Sequence, residues 1–286
     1  MVIFECLYRG ERHLGLTPLT GDLPLQLHPL DGRPLVDLLP EHGGDPVAAA
    51  ERIAGQRPPV TADRAEVRLL PPLLPAHPGD ALVSGFMMTH NVKVDSEVPD
   101  QPTWFVKGFG DSLRLPGEPL GVPADAVAVC EEAEVVLVYV GDPEGVPRYT
   151  GWTFGNDLTD IGRFKQHAGH LSYAKLCDPA IAPALHPGPP PAEVTGQTVV
   201  ERDGLPAWKG EFRTGLQALH YGLPAMTARL FAYRTLHRPG LVHYVYLGAD
   251  RGSFHAGFRL ADGDRVALDF SSHGVALSNP LAWEAG

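Results

Sequence analysis

Proline and glycine break this chain so often that long helices are closed to it. Twenty-nine prolines and 32 glycines stand among 286 residues, and each tends to end or turn an element. Such punctuation predicts many short strands joined by turns. Strands are expected over 81–88, 103–107, 126–129, 134–140, 148–154, 198–202, 241–247 and 265–270. Helices are fewer. "DPVAAAERIAG" predicts one, capped by Asp45 and ended by Gly55. Others are expected over 160–171 and 216–233, the last kinked by Pro224. Strands without regular helix alternation predict a mixed β architecture (α+β) with few helices, and argue against a doubly wound sheet. Residues 1–75 read as a small N-terminal α+β domain, "PPLLPAHPGD" as a linker, and 76–286 as the main domain.

Charge narrows the partners. A net charge of −11 with no lysine–arginine run argues against a nucleic-acid groove and against an anionic membrane surface. No apolar stretch reaches spanning length, and the first residues lack the basic start and apolar block of a signal peptide. Three cysteines, Cys6, Cys130 and Cys177, are odd in number and far apart. They predict a reducing, cytoplasmic setting and buried structural thiols, not a disulfide framework.

The chemistry concentrates in "CEEAEVVLVYVG", Cys130 to Gly141. In a strand, residues two apart share a face, so Glu132 and Glu134 point one way and Glu131 the other. Paired carboxylates entering a core repel each other and lose their hydration. A hard divalent cation resolves both problems. After a "DPEGVP" turn the chain returns through "RYTGWTFGND", which would set Asp157 beside the pair if the two strands are neighbours. A phosphate-binding Gly-rich loop and a nucleophile elbow are both absent. The pair His167/His170 reads as a surface feature of the 160–171 helix.

These pieces, taken in order, resemble the fumarylacetoacetate hydrolase superfamily. The resemblance rests on Glu-x-Glu at a strand start, the Gly-aromatic strand ending in Asn156-Asp157, and the lysine of "SYAKLCDPAIAP". It extends through "GFMMTHNVKVDSEVPDQPTWFVKG" and "FRLADGDRVALDFSSHGVALSNPLAW", covering roughly residues 80 to 284. "FGNDLTDIGRFKQHAGHLSYAKL" and "GLVHYVYLGADRGSF" look most like the branch linked to 2-keto-3-deoxy sugar-acid dehydratases. The resemblance implies a β-sandwich or roll around one metal held by Glu132, Glu134 and Asp157. The metal would be Mg²⁺, with Mn²⁺ or Ca²⁺ as alternatives, and the substrate a small-molecule 2-oxo acid. A bound cation would act as a Lewis acid on that substrate's enolate. Lys175 would sit beside the metal, with its pKa lowered, as proton donor or acceptor. Lys107 would assist or bind substrate carboxylate, and His90 would be a lid acid. Two departures stand out. Lys93 occupies the place, three residues after His90, where the hydrolases of this family carry a glutamate, leaving Asp95 or Glu97 as substitutes. Gly248-Ala249 stands where a Gly-Thr pair usually holds substrate. A metal-dependent lyase is expected, with C–C hydrolysis of an acylpyruvate and a catalytically diverged binding protein as alternatives. Family habit and exposed strand edges predict a homodimer.

Overall fold

The run "VVLVYV" at 135–140 is apolar at every position, where a half-buried strand would alternate. The computed structural model describes residues 1–21, 23–93 and 99–285, and its layering explains the run. Three sheets form. The first holds β1 (Ile3–Tyr8), β2 (Glu11–Gly15), β3 (Leu25–Pro29) and β4 (Val60–Ala62) in that spatial order. On the other side of β1 lie β5 (Val67–Leu69) and a two-residue strand from far along the chain, β12 (Ala184–Leu185). The second sheet is built from β6 (Ala81–Met87), β7 (Thr103–Phe109), β9 (Ala133–Gly141), β10 (Pro147–Asn156), β11 (Ala180–Ile181) and β15 (Val242–Tyr246). Its order is β11-β10-β9-β15-β6-β7, antiparallel except for β15 on β6. The third contains β8 (Leu120–Val122), β13 (Val194–Arg202), β14 (Leu205–Thr214), β16 (Arg265–Phe270) and β17 (Val275–Trp283), ordered β14-β13-β16-β17-β8.

The second sheet is the middle layer. Val136, Val138 and Val140 pack with Ile3, Leu14, Leu35 and Leu39 of the N-terminal segment. Val135, Leu137 and Tyr139 pack with Val200, Val266, Leu268 and Phe270 of the third sheet. All nine residues of β9 are therefore buried, and a strand covered on both faces has no use for polar alternation.

Helix α1 (Pro46–Gln56) begins as its sequence requires: Asp45 accepts from Val47 N and Ala48 N, and Pro46 takes the first turn. It runs one residue past Gly55. Three expectations need correction. Residues 126–129 form no strand; the Asp160 carboxylate accepts from Val127 N and Ala128 N and holds them as a loop. The 160–171 helix is shorter pieces, α2 (Ile161–Gln166) and α3 (Leu171–Ala174) joined by a 3-10 turn. Residues 216–233 are a 3-10 turn followed by α4 (Leu223–Leu230). Pro224 starts that helix instead of kinking it, because its missing N–H costs nothing in a first turn.

One buried charge ties the first sheet to the segment that follows it. Glu5 Oε2 accepts from Leu35 N at 2.9 Å and from Arg12 at 3.3 Å, while its Oε1 has no partner. Arg12 also donates to Leu74 O at 2.8 Å. Burial outweighs these contacts and pushes the Glu5 pKa up to about 7. A folded pKa above the unfolded one gives stability that is full at acidic pH and lost as pH rises from 4.5 to 7. The loss across that window is about 3 kcal/mol. Denaturant unfolding of Glu5→Gln should lack this acidic advantage; an unchanged pH profile would place the titration elsewhere.

Candidate functional site

Pairing between β9 and β10 sets Gly155 opposite Glu134 and Asn156 opposite Ala133. Beyond the ladder, Asp157 N donates to Glu132 O, and Cys130 exchanges two backbone bonds with Thr159. Asn156 Oδ1 accepts from Glu132 N at 2.9 Å. The carboxylates of Glu132, Glu134 and Asp157 thus converge, with one oxygen from each within 4.8 Å of the others, and all three residues are buried. Glu131 faces away, as alternation requires, and its carboxylate accepts from Ser253 N at 2.8 Å and Ser253 Oγ at 2.5 Å.

Three ammonium groups answer the three carboxylates. Lys175 is fully buried; its Nζ lies 2.5 Å from Asp157 Oδ2, 3.0 Å from Glu132 Oε2 and 2.7 Å from Thr159 Oγ1. Its Nζ also stands 4.2 Å above the ring of Phe105. That ring has room because position 85 is glycine: a Cβ there would meet Phe105 and Tyr246 at 2.8 Å. Lys107 reaches Asp157 Oδ1 at 2.8 Å and donates to Leu158 O at 2.6 Å. It sits at a register shift of β7 against β6, where a bulge re-aims side chains. Because β7 and β10 lie near opposite edges of the sheet, this contact requires the sheet to roll around the site. Lys93 takes Glu132 Oε1 at 3.0 Å and remains partly open to solvent.

The electrostatics follow from these pairings. Burial alone would raise the Glu132 pKa, but Lys175 and Lys93 outweigh it and hold the carboxyl well below its usual range. Glu134 has no such partner. Burial first, then Asp157 and Glu132, push its pKa far up. Its Oε2 accepts from Gly248 N at 2.6 Å, and its Oε1 has no hydrogen-bond partner. For Lys175, burial lowers the pKa, but Asp157, Glu132 and Glu134 together raise it above the ordinary lysine value. The expected lowering of the Lys175 pKa referred to a bound cation; the chain's own carboxylates act in the opposite direction.

His90, expected as a lid acid, is buried and bridged to Leu219. Thr89 Oγ1 donates to Leu247 O, so it accepts from His90 Nδ1 at 3.1 Å, and His90 Nε2 accepts from Thr214 at 2.9 Å. Burial and then Lys93 lower its pKa to about 4, so the ring is neutral at pH 7. Gly248 adopts φ +92, and a Cβ there would lie 2.0 Å from Thr89 Oγ1. Only glycine lets this backbone offer its N–H to Glu134. Ala249 beside it is buried. Asp95 and Glu97 lie outside the described residues. Thr159 and Ser253 went unrecognised in the sequence. Thr159 stands two positions after Asp157, which was the signal that it shares a face with it.

A buried oxygen without a partner, amid clustered hard oxygen donors, fits a divalent cation. The comparisons with known proteins agree with this geometry. No protein-family model matches the chain, and no curated protein matches it. Solved structures do match. A 2-keto-3-deoxy-D-arabinonate dehydratase complexed with magnesium and 2,5-dioxopentanoate superposes with a TM-score of 0.71 at 16% identity, covering 100% of both chains. A 5-carboxymethyl-2-hydroxymuconate delta-isomerase from Mycobacterium smegmatis gives 0.67 at 18% identity, over 99% of this chain and 100% of that one. A 2-hydroxyhepta-2,4-diene-1,7-dioate isomerase from Mycobacterium marinum gives 0.65 at 18%, over 100% of both. The chain has the fumarylacetoacetate hydrolase fold. In this fold's terms, the third sheet and the rolled middle sheet form the main body, and the N-terminal sheet packs on its far face. No helix among the described residues is long and apolar enough to cross a membrane.

Proposed function

We propose that this protein is a divalent-metal-dependent lyase acting on a 2-oxo acid, and that its reaction is dehydration of a 2-keto-3-deoxy sugar acid. The observation that carries the reading is the buried Glu132–Glu134–Asp157 cluster with its unpartnered Glu134 oxygen. The likeness to a dehydratase complexed with magnesium adds support. Glu132, Glu134 and Asp157 would hold the cation, with Mg²⁺ favoured over Mn²⁺ and Ca²⁺. When bound, such a cation supplies Lewis acidity to the 2-oxo acid.

The chain's own groups do the rest. Dehydration breaks a C3–H bond and the C4–O bond, forms the C3–C4 double bond and releases water. Lys175 Nζ, whose pKa its carboxylate neighbours raise, would give a proton to the departing C4 hydroxyl and, as the amine so formed, take the proton lost from C3, ending the cycle as the ammonium it began. Lys107 spends its ammonium on Asp157 and Leu158 O, so it orients Asp157. Neutral His90, bonded through both ring nitrogens, positions the 89–90 turn against Gly248, whose N–H steadies Glu134. Hydrolysis of an acylpyruvate is the weaker reading, because Lys93 stands bonded to Glu132 where a water-activating carboxylate would be needed. A panel of 2-keto-3-deoxy sugar acids and acylpyruvates, assayed with Mg²⁺ and with chelator, tests this. Mg²⁺-dependent release of a dehydrated 2-oxo product from a sugar acid is expected. Turnover of acylpyruvates alone, or turnover indifferent to chelator, would overturn it.

The same reading includes a homodimer. Strand β7 is an open edge of the middle sheet, and Val106 and Phe109 on it are 41% and 54% exposed. The nearby helix α3 adds exposed Tyr173, and exposed Leu176 follows it. An apolar edge of this kind invites pairing. Light scattering at micromolar concentration should give twice the 30.8 kDa chain mass; a monomer mass rules the dimer out.

A further inference from the structure

Five of the six carboxylate oxygens in the Glu132–Glu134–Asp157 cluster already face a nitrogen donor. Lys175 Nζ lies against Glu132 Oε2 and Asp157 Oδ2, Lys107 Nζ against Asp157 Oδ1, and Lys93 Nζ against Glu132 Oε1. Gly248 N takes Glu134 Oε2, which leaves Glu134 Oε1. A cation held by all three residues therefore meets an ammonium at Glu132 and at Asp157, and like charges beside one oxygen repel. The lysines are held unequally. Lys175 Nζ has Thr159 Oγ1 as a further partner and the Phe105 ring beside it, and its side chain is fully buried. Lys107 is equally buried and also donates to Leu158 O. The Lys93 ammonium has Glu132 as its one partner among the described residues, and its side chain is 11% exposed. Lys93 ends the 3-10 turn Asn91–Lys93, whose first two residues are exposed.

We propose that the Lys93 ammonium is a tethered stand-in for the cation: the two are alternative partners of Glu132 Oε1, and metal loading turns Lys93 out to solvent. The inference rests on the metal-dependent 2-oxo acid reading above. Side-chain rotation suffices for the exchange. Lys93 N donates to His90 O at 2.9 Å and Arg251 donates to Val92 O at 2.8 Å, so the backbone of the turn stays anchored. Charge balance supports the exchange. Metal ligands must be ionised, so the loaded site holds three carboxylates, a divalent cation, Lys107 and Lys175. One positive charge is left, and the carboxylate of a single 2-oxo acid cancels it. With Lys93 still in place a second charge would remain. Lys93 thereby sets the affinity for the cation. It also spares Glu132 an uncompensated charge whenever the cation leaves.

Reductive methylation of the unaltered chain, with Mg²⁺ and with chelator, reads the exchange directly by peptide mass spectrometry. Lys93 should label at least ~10-fold faster at saturating Mg²⁺, because an amine held on a carboxylate must leave it to react. Lys107 and Lys175 should stay unlabelled in both conditions. Lys93→Met removes the competitor, so calorimetric titration should give an Mg²⁺ Kd at least ~10-fold tighter. Lys165→Gln is the control for general attraction. Lys165 is exposed, lies within electrostatic reach of the same His255 as Lys93, and pairs with no carboxylate among the described residues. Its loss should move the Kd by less than ~2-fold, as solvent and salt screen it. Mg²⁺ binding with Lys93 labelling unchanged overturns the exchange and leaves the metal reading standing. Equal tightening in the two variants also overturns it. Binding of Mg²⁺ by neither the parent nor Lys93→Met removes the metal reading, and the exchange with it.

Discussion

Lys175→Met should be strongly destabilised without Mg²⁺ and largely rescued by it. The ammonium is the shared partner of Asp157 and Glu132 in a fully buried place. Removing one member of a buried ion pair typically costs ~3–5 kcal/mol, because the charge left behind has neither water nor partner. A divalent cation offers those same oxygens a replacement charge, so rescue tests both the lysine's role and the carboxylates' affinity for metal. Turnover should not return with stability. Losing a general acid costs ~10²–10⁴-fold in rate. Urea unfolding with and without Mg²⁺, run beside the dehydration assay, separates the two effects. A variant as stable as the parent without metal, or one that turns over at the parental rate, makes Lys175 a bystander.

Glu134→Gln should behave in the opposite way. The amide can still accept from Gly248 N, but it removes a carboxyl that burial, Asp157 and Glu132 all disfavour as an anion. Without Mg²⁺ the variant should be at least as stable as the parent at neutral pH. With Mg²⁺ at a hundred times its Kd, the parent gains ~2.7 kcal/mol, a Tm rise of ~5–10 °C, and the variant should gain almost nothing. A site that is more stable when disabled has its charges arranged for a ligand. Equal Mg²⁺ responses in parent and variant would remove Glu134 from the metal set.

The contrast between these two residues also shows what the sequence could reveal. Glu132, Glu134 and Asp157 were readable because a strand period of two and one hairpin bring them together within 26 positions. The strand 265–270 and the Asp45 cap were readable because their signals are local. Lys93 stood out only as a misfit, since its partner Glu132 is 39 positions away and no local pattern announces it. The raised Lys175 pKa depends on three carboxylates outweighing burial, a balance that needs distances. The loop at 126–129 looks like a strand by composition, and Asp160 diverts it. Strand β14 passed unnoticed because most of its residues face solvent, which leaves no apolar period to detect.

The short strand Ala184–Leu185 has a bearing on how the chain is made. It pairs with Ile3 and Phe4, so the first strand acquires this neighbour only after some 180 further residues have been added. At ~5–20 residues per second on a ribosome, that is a wait of about ten to forty seconds. Through that interval Phe4 and its neighbours form an unfinished edge, open to holding chaperones or to mispairing with a neighbouring nascent chain. The residues that close it lie nine positions beyond Lys175. The candidate site closes later still, because β15 and Gly248 must follow before the middle sheet is continuous and Glu134 gains its N–H partner, and refolding in vitro should be slow for the same reason of long-range closure.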